Sequence, residues 1–122
     1  MSVRVDVGEL TYLAERYQAA ADNIENLVAE PFNAWVDETY EAMREETPVH
    51  EGELRDSIEV ERNGLEAKIR PTKRVPGAGG SDHSLGFLIE HGVGNRPPNP
   101  FIGRTAERAR ESVPQVNISD VL

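Results

Sequence analysis

The side chains of this sequence best suited to chemistry are its three histidines, at positions 50, 83 and 91. His83 and His91 would supply imidazole donors for zinc, and Glu90 would add a carboxylate. Such a set of ligands would support metal-assisted hydrolysis. Glu90 and His91 are adjacent, so they would point to opposite sides of a strand, and their spacing to His83 matches no ligand motif. We therefore predict no metal site and keep a metal-assisted hydrolase as the third of three hypotheses.

Two further motifs have the composition of a functional loop. Gly77, Gly79 and Gly80 suggest a phosphate-binding loop, but such a loop needs a preceding strand, a following helix and usually a lysine, and no lysine follows here. The run Ser81–His83 contains the residue types of a nucleophilic triad, yet a triad is assembled from separate elements around an oxyanion site. We therefore expect no enzymatic activity and no cofactor.

Length and composition indicate one acidic domain. The chain has 122 residues, 38% of them hydrophobic, so we expect a single domain over residues 1–122 with a modest core. Its formal charge of −9 argues against binding nucleic acid through the general surface. Cysteine is absent, which excludes disulfides, thiolate zinc sites and thiol nucleophiles. No apolar run resembles a signal peptide or a membrane span, so we expect neither export nor membrane association.

The charge is divided along the chain. Residues 9–46 contain ten acidic side chains against Arg16 and Arg44, whereas residues 71–104 contain four basic side chains against two acidic ones. This division suits head-to-tail packing between copies of the chain, and it equally fits a helix with a solvated acidic face.

Apolar side chains recur every three or four residues in the first third of the chain, the spacing of one face of an α-helix. The series begins at Leu10 and continues in phase to Met43. Pro31 interrupts it, because proline lacks an amide hydrogen and crowds the preceding turn. A helical part is therefore predicted over about residues 9–46, as two helices or as one helix bent at Pro31.

A β-hairpin over about residues 56–70 follows an irregular connector, "TPVHEGELRDS". The pair Asn63-Gly64 favours a two-residue type I′ turn, which needs positive φ at both positions. That turn predicts four facing pairs: Arg62 with Leu65, Val60 with Ala67, Glu59 with Lys68, and Ile58 with Ile69. In this register the apolar residues share one side of the hairpin, as a sheet that covers a core requires.

The chain beyond the hairpin is rich in proline and glycine. "PTKRVPGAGGSDHS" has too little apolar surface to pack, so we expect a mobile loop over about residues 71–84. "LGFLIEHG" is either a third strand or a single helical turn. Asn99 can cap a helix over about residues 100–113, with Pro100 at its first position, and "QVNISDVL" is an edge strand or a free tail.

These elements predict an α+β fold. A long N-terminal helix, or a kinked pair of helices, packs on a small antiparallel sheet built round the β-hairpin. A further helix follows near the C-terminus.

Two segments, one on each side of the hairpin, carry a resemblance to a known family. In order and spacing they resemble the head–tail joining proteins of long-tailed double-stranded-DNA phages, also called tail-completion or neck proteins. The first segment matches the family pattern at Pro48, Gly52, Leu54, Arg55, Ser57 and Ile58. The second matches it at Glu90, Gly92, Gly94, Pro98, Pro100, Phe101 and Ala106. The chain departs from the pattern at Glu51, His91 and Val93, where threonine, an aromatic residue and threonine are usual.

The resemblance implies a structural virion protein at the head–tail junction, assembled in the host cytoplasm. Copies of the chain would form a ring of about six subunits, in contact with head-connector proteins and with tail-tube or tail-terminator proteins. DNA would pass through the lumen without being read. An acidic chain suits this role, because a lumen with few cations does not hold phosphates.

The resemblance also indicates an interface between subunits or with a partner. Proline lowers the entropy lost when a connector is ordered against a neighbour, and glycine lets backbones approach closely. The candidate interface residues are Lys73, Arg74, Gly77, Gly79, Gly80, Glu90, Gly92, Gly94, Arg96, Pro97, Pro98, Pro100 and Phe101. Without the resemblance, "NRPPNP" is a rigid turn into a helix.

A second hypothesis, of a different class, is a small non-enzymatic adaptor or regulatory module. In that case the acidic helices would bind one partner protein, and the chain would stay monomeric. The sequence does not distinguish this module from the ring protein.

Overall fold

The structure, a computed structural model, describes residues 7–77 and 80–115, with side chains from residue 14 onward. It is an α+β fold, as predicted. The elements in chain order are α1 (Val7–Glu46), α2 (Gly52–Asp56), β1 (Ile58–Asn63), β2 (Glu66–Pro71), β3 (Arg74–Pro76), β4 (Asp82–Ser84), α3 (Leu85–His91) and α4 (Phe101–Glu111). Strand β1 pairs with β2, and β3 pairs with β4, as two separate antiparallel sheets.

The chain divides into two compact units, the first comprising Met1–Phe32 with Pro114–Leu122 and the second Asn33–Val113. Helix α1 is continuous, and Pro31 lies inside it. Of the two predicted alternatives, two helices or one, the structure therefore has one helix. Proline removes only one backbone hydrogen bond of a helix, and the bonds on either side can hold the helical path. In the first unit, none of the side chains of residues 14–32 is buried.

The second unit is built round a small core to which five elements each contribute one side chain. These are Met43 from α1, Leu54 from α2, Ile58 from β1, Ile89 from α3 and Phe101 from α4. Leu54 and Phe101 are completely buried. Because apolar burial is the main favourable contribution to folding, this cluster fixes how α2, β1, α3 and α4 meet.

The hairpin β1–β2 forms on the predicted segment, but the predicted register is wrong by two residues. Asn63 faces Glu66, Val60 faces Ile69, and Ile58 faces Pro71. The turn therefore consists of Gly64 and Leu65. Gly64 has φ of 61°, and no non-glycine residue in the described part of the chain has positive φ, so the turn follows the type II′ pattern.

The error in register has a physical reason. A shift of two residues leaves every side chain on its original side of the sheet, so the apolar pattern cannot distinguish the two registers. The predicted pair Glu59 with Lys68 is replaced by Glu59 opposite Arg70. Arg70 forms its ion pair with Glu61 instead, at 2.9 Å.

Two segments predicted to be irregular contain regular structure. Helix α2 lies in the connector before the hairpin, where burial of Leu54 holds a helix too short to show periodicity. Strands β3 and β4 lie inside the predicted mobile loop, where Val75 faces His83. The amide of Gly77 donates to the carbonyl of Ser81 at 2.6 Å. Backbone pairing needs no apolar side chains, so composition alone did not indicate these strands.

Helices α3 and α4 complete the second unit. The run "LGFLIEHG" is helical rather than a strand, and the Ser84 hydroxyl caps α3 by accepting from the amide of Phe87. Helix α4 begins at Phe101, after Pro100, so Asn99 is not its cap. Trp35 ties α4 to α1 by donating from its indole nitrogen to the carbonyl of Ala109 at 3.0 Å. The predicted strand or tail at residues 116–122 lies outside the described residues.

Candidate functional site

We call the segment from Glu90 to Phe101 the connector; it runs from the end of α3 to the first residue of α4 and contains eight of the thirteen predicted interface residues. The two carboxylate oxygens of Glu90 accept from the amides of Ile102 and Gly103, at 2.8 and 3.1 Å. These are free donors of the first turn of α4, and a negative charge there is favoured by the helix dipole. Glu90 therefore caps α4 in place of Asn99.

Gly92 brings the connector back against itself. Its φ is 79°, and a Cβ atom at this position would lie 2.8 Å from both the carbonyl oxygen of Arg96 and the nitrogen of Pro98. Both are backbone atoms, which cannot move aside as a flexible side chain can. Only glycine fits without displacing the connector.

The middle of the connector is tied to α2. Arg96 forms an ion pair with Glu51 at 2.5 Å, and the Glu51 side chain is only 16% exposed. The amide of Asn99 donates to the carbonyl of Ile89 at 2.9 Å. Glu51 stands where threonine is usual in the family, and its carboxylate gives Arg96 a partner that a threonine could not equal in charge.

The structure separates the predicted residues of this connector into two groups. Phe101 is completely buried in the core, so it is not a surface residue of this chain, and that part of the predicted interface is wrong. The burial follows from its position at the first turn of an amphipathic helix. The exposed residues are Gly94, Arg96, Pro97, Pro98 and Pro100.

The other predicted residues lie on the small sheet β3–β4 and just before it. Lys73 pairs with Glu53 at 3.1 Å, and Arg74 donates to the carbonyl of Asp82 at 3.1 Å. Gly77 lies directly against the His83 ring, so a Cβ atom there would overlap that ring. Gly80 has φ of 80° and is exposed. Gly79 lies outside the described residues.

A groove of about 660 Å³ brings Arg74 and Glu90 together. Its other lining residues include Arg70 from β2, Thr72 from the link between β2 and β3, Phe87 and His91 from α3, and Ile102 from α4. Phe87 is 61% exposed, and its ring centroid lies 4.4 Å from that of His91. We call Arg70, Arg74 and Phe87 the basic surface.

The basic surface was only partly predictable. Arg74 was among the predicted residues, whereas Arg70 and Phe87 were not. Phe87 and His91 are four residues apart, which places them together only on a helix. Because "LGFLIEHG" fits a strand equally well, the pairing of Phe87 with His91 could not be predicted from the residues alone.

Ser57 holds the small sheet in place beside this groove. Its hydroxyl accepts from the amides of Thr72 and Lys73, at 3.1 and 3.0 Å, and donates to the carbonyl of Leu54 at 2.8 Å. The Thr72 hydroxyl donates to the carbonyl of Ser57 at 2.7 Å. One serine of the family pattern thus connects the end of α2 to the start of β3.

A charged cluster joins the end of α1 to α4. Glu46 accepts from Arg104 and Arg108, at 2.7 and 3.2 Å, and Arg108 also pairs with Glu45 at 3.0 Å. The hydrogen bond from Arg104, assisted by Arg108, holds the pKa of Glu46 below its ordinary value. The hydrogen bonds to Glu45 and Glu46 raise the pKa of Arg108. Asn99 adds its side-chain oxygen, which accepts from Arg104 at 2.7 Å.

The residues of the metal-site hypothesis serve other contacts. The Glu90 carboxylate caps α4, His91 packs against Phe87, and the His83 ring lies against Gly77 and 3.2 Å from the Ser81 hydroxyl. Within residues 7–77 and 80–115, no three histidine, cysteine, aspartate or glutamate side chains are grouped to hold a metal. The three residues of that hypothesis therefore do not form one site.

Comparisons with known proteins leave the family assignment as a prediction. No helix in the described part of the chain has the length and apolar content to cross a bilayer. The chain matches no family model, no curated protein and no solved structure at a significant level.

Proposed function

We propose that this chain is a structural protein of the neck of a long-tailed double-stranded-DNA phage. Copies of it form a ring, of about six subunits, that joins the tail to the head connector and lets DNA pass. Its neighbours are head-connector proteins and tail-tube or tail-terminator proteins, and it assembles in the host cytoplasm before entering the virion.

One observation carries the proposal: the two segments that resemble the neck family pack against each other. Leu54 and Ile58 from the first segment and Phe101 from the second share the core. Arg96 and Glu51, which are not matching positions of the family pattern, add an ion pair between the same two segments. A structural protein needs residues of this kind in its core and at its helix caps, because packing and capping set the relative position of its elements.

The polar residues of the two segments support the same reading. Glu90 holds the start of α4, Ser57 holds the start of β3, and Gly92 allows the connector to fold back on itself. Each of these contacts fixes backbone geometry. A ring subunit needs such fixed geometry, because angular errors accumulate round a closed assembly.

Locating the protein in mature particles tests the proposal. A tagged copy should copurify with virions, and electron microscopy should place the tag at the head–tail junction. A tag found only in the cytoplasm of infected cells, with particles of normal composition lacking it, would reject a neck protein.

The adaptor module remains the second candidate, and one observation favours it. Residues 14–32 of α1 have no buried side chain, and Tyr17 and Leu27 are 75% and 38% exposed. A helix with exposed apolar residues between acidic ones can bind a groove on another protein. A chain that stays monomeric, never enters particles and binds a purified host protein through residues 14–32 would support the adaptor.

A further inference from the structure

The second unit carries a second groove, whose charge is opposite to that of the basic surface. This groove, about 490 Å³, lies between α1 and α4 and is lined by Glu38, Glu41 and Glu45, with Ala42 and Ala109 among its apolar residues. We call it the acidic groove. Glu38 and Glu41 are both exposed, and neither forms an ion pair within the described part of the chain.

The charges of the acidic groove are only partly compensated. Arg108 is its one basic lining residue, and it is shared with Glu45 and Glu46. Asp37 also lines the groove and pairs with Arg62 at 2.6 Å. Glu38 and Glu41 therefore present two carboxylates beside a small apolar floor, and within residues 7–77 and 80–115 no cation forms an ion pair with either.

The basic surface has the complementary composition. Arg70 and Arg74 have exposed side chains, and Arg70 is 60% exposed even though it contacts Glu61. Phe87, on α3, lines the same groove and is 61% exposed. An exposed aromatic side chain flanked by arginines is the residue composition that carries binding energy at protein interfaces.

We infer that the basic surface of one copy binds the acidic groove of the next copy. Phe87 packs on the apolar floor at Ala42 and Ala109, and the two arginines face Glu38 and Glu41. The two surfaces share no residue, so each copy can bind one neighbour through its basic surface and another through its acidic groove, and such a head-to-tail contact closes into a ring when the rotation between copies allows it. This inference rests on the proposed self-assembly and names the surfaces that perform it.

Disulfide trapping tests the contact directly, because the natural chain has no cysteine. Copies with Phe87→Cys are mixed with copies carrying Glu41→Cys under mild oxidation. We expect a crosslinked dimer to form at least tenfold faster than in a control mixture of Phe87→Cys with Glu66→Cys, whose exposed site lies on the β1–β2 hairpin. One chain with Phe87→Cys and Glu41→Cys together should give a ladder of multimers. Equal rates in both mixtures would overturn the inference.

Charge reversal provides an independent test with a rescue. Arg70→Glu with Arg74→Glu, and separately Glu38→Lys with Glu41→Lys, should each reduce self-association at least tenfold in analytical ultracentrifugation. Mixing these two variants should restore assembly, because each surface then meets an opposite charge on its neighbour. A control with Asp56→Lys and Glu66→Lys, two exposed positions outside both grooves, has the same change in net charge as the second variant and should assemble like the natural chain.

The outcomes separate this inference from the proposed function. If the natural chain assembles and is found in virions while both reversed variants assemble equally well, the surfaces are wrong and the neck proposal stands. If the natural chain does not self-associate and is missing from virions, and the chain with both Phe87→Cys and Glu41→Cys gives no ladder, both fail. Circular dichroism of each variant confirms that it is folded before association is measured.

Discussion

The two halves of α1 differ in what they bury, although their apolar residues have the same spacing. Between residues 33 and 46 the helix buries Val36, Ala42 and Met43, which are 4%, 7% and 3% exposed. Between residues 14 and 32 it buries no side chain, and Tyr17 is 75% exposed. Helical periodicity thus indicates an apolar face, but it does not say whether the same chain covers that face.

The comparison has an energetic consequence. Stability should depend on residues of Asn33–Val113, where side chains of five elements meet, and hardly at all on residues 14–32. Substitutions of matched size in the two regions should therefore differ by several kcal/mol, and each prediction below tests one kind of contact in the packed region.

The largest effect is expected from Phe101→Ala. Removing this fully buried ring leaves a cavity beside Leu54 and Ile89, which should lower the free energy of unfolding by about 3–5 kcal/mol. Urea denaturation measures the change. Tyr17→Ala is the matched control in the first half of α1 and should stay within about 0.5 kcal/mol of the natural chain. Similar losses of unfolding free energy in both variants would contradict the claim that residues 14–32 contribute little to stability.

Gly92→Ala should have the next largest effect. The added methyl group would lie 2.8 Å from two backbone atoms at a φ of 79°, a combination expected to cost about 1–3 kcal/mol. Gly52→Ala is the control, because no atom lies within 4 Å of a Cβ atom there and its φ is not positive. A Gly92→Ala protein as stable as the control would show that the connector is not packed as described.

Glu90→Ala removes the cap of α4 and should cost about 1 kcal/mol. The amides of Ile102 and Gly103 would then lack their acceptors. Hydrogen exchange should show faster exchange of these two amides. Glu59→Ala is a control with the same charge change at an exposed strand position, and it should leave their exchange rates unaltered.

The smallest effect concerns pH. Because the pKa of Glu46 is lowered from 4.5, its ion pairs stabilise the fold above that value and are lost as pH falls through the lowered pKa. The natural chain should therefore unfold at a slightly higher temperature than Glu46→Gln at neutral pH, and this difference should shrink as the pH falls below 4.5. Glu66→Gln is the control and should show no such pH-dependent difference, because Glu66 is exposed, lies outside both grooves and forms no ion pair within the described residues. A difference that grows on acidification would have the wrong sign.

The sequence predicted features that depend on local pattern. The extent of α1 follows from its periodicity, and the hairpin follows from Asn63-Gly64 between alternating residues. The helix after Pro100 follows from that proline, and it lies within the predicted range of about residues 100–113. These signals lie within a few residues of the feature they predict, which is why they can be read without the fold.

The features that were missed depend on distant contacts. Glu90 caps amides twelve and thirteen residues further along, and Arg96 finds its partner 45 residues earlier at Glu51. Helix α2 has only 5 residues, too few to show a period, and is held by burial of Leu54. The basic surface needs both strands and α3 in place before Arg70 and Phe87 can be recognised as neighbours.

The turn at Gly64 and Leu65 is a site at which a label would reveal the orientation of the protein in a particle. Both residues are exposed, as are the four neighbouring residues from Glu61 to Glu66 that complete the tip. Exposed loop tips tolerate insertions, so a short epitope placed between these two residues should leave the pairing of β1 with β2 intact. An antibody fragment bound there would reveal, in averaged images, whether the hairpin points toward the capsid, toward the tail or outward from the axis.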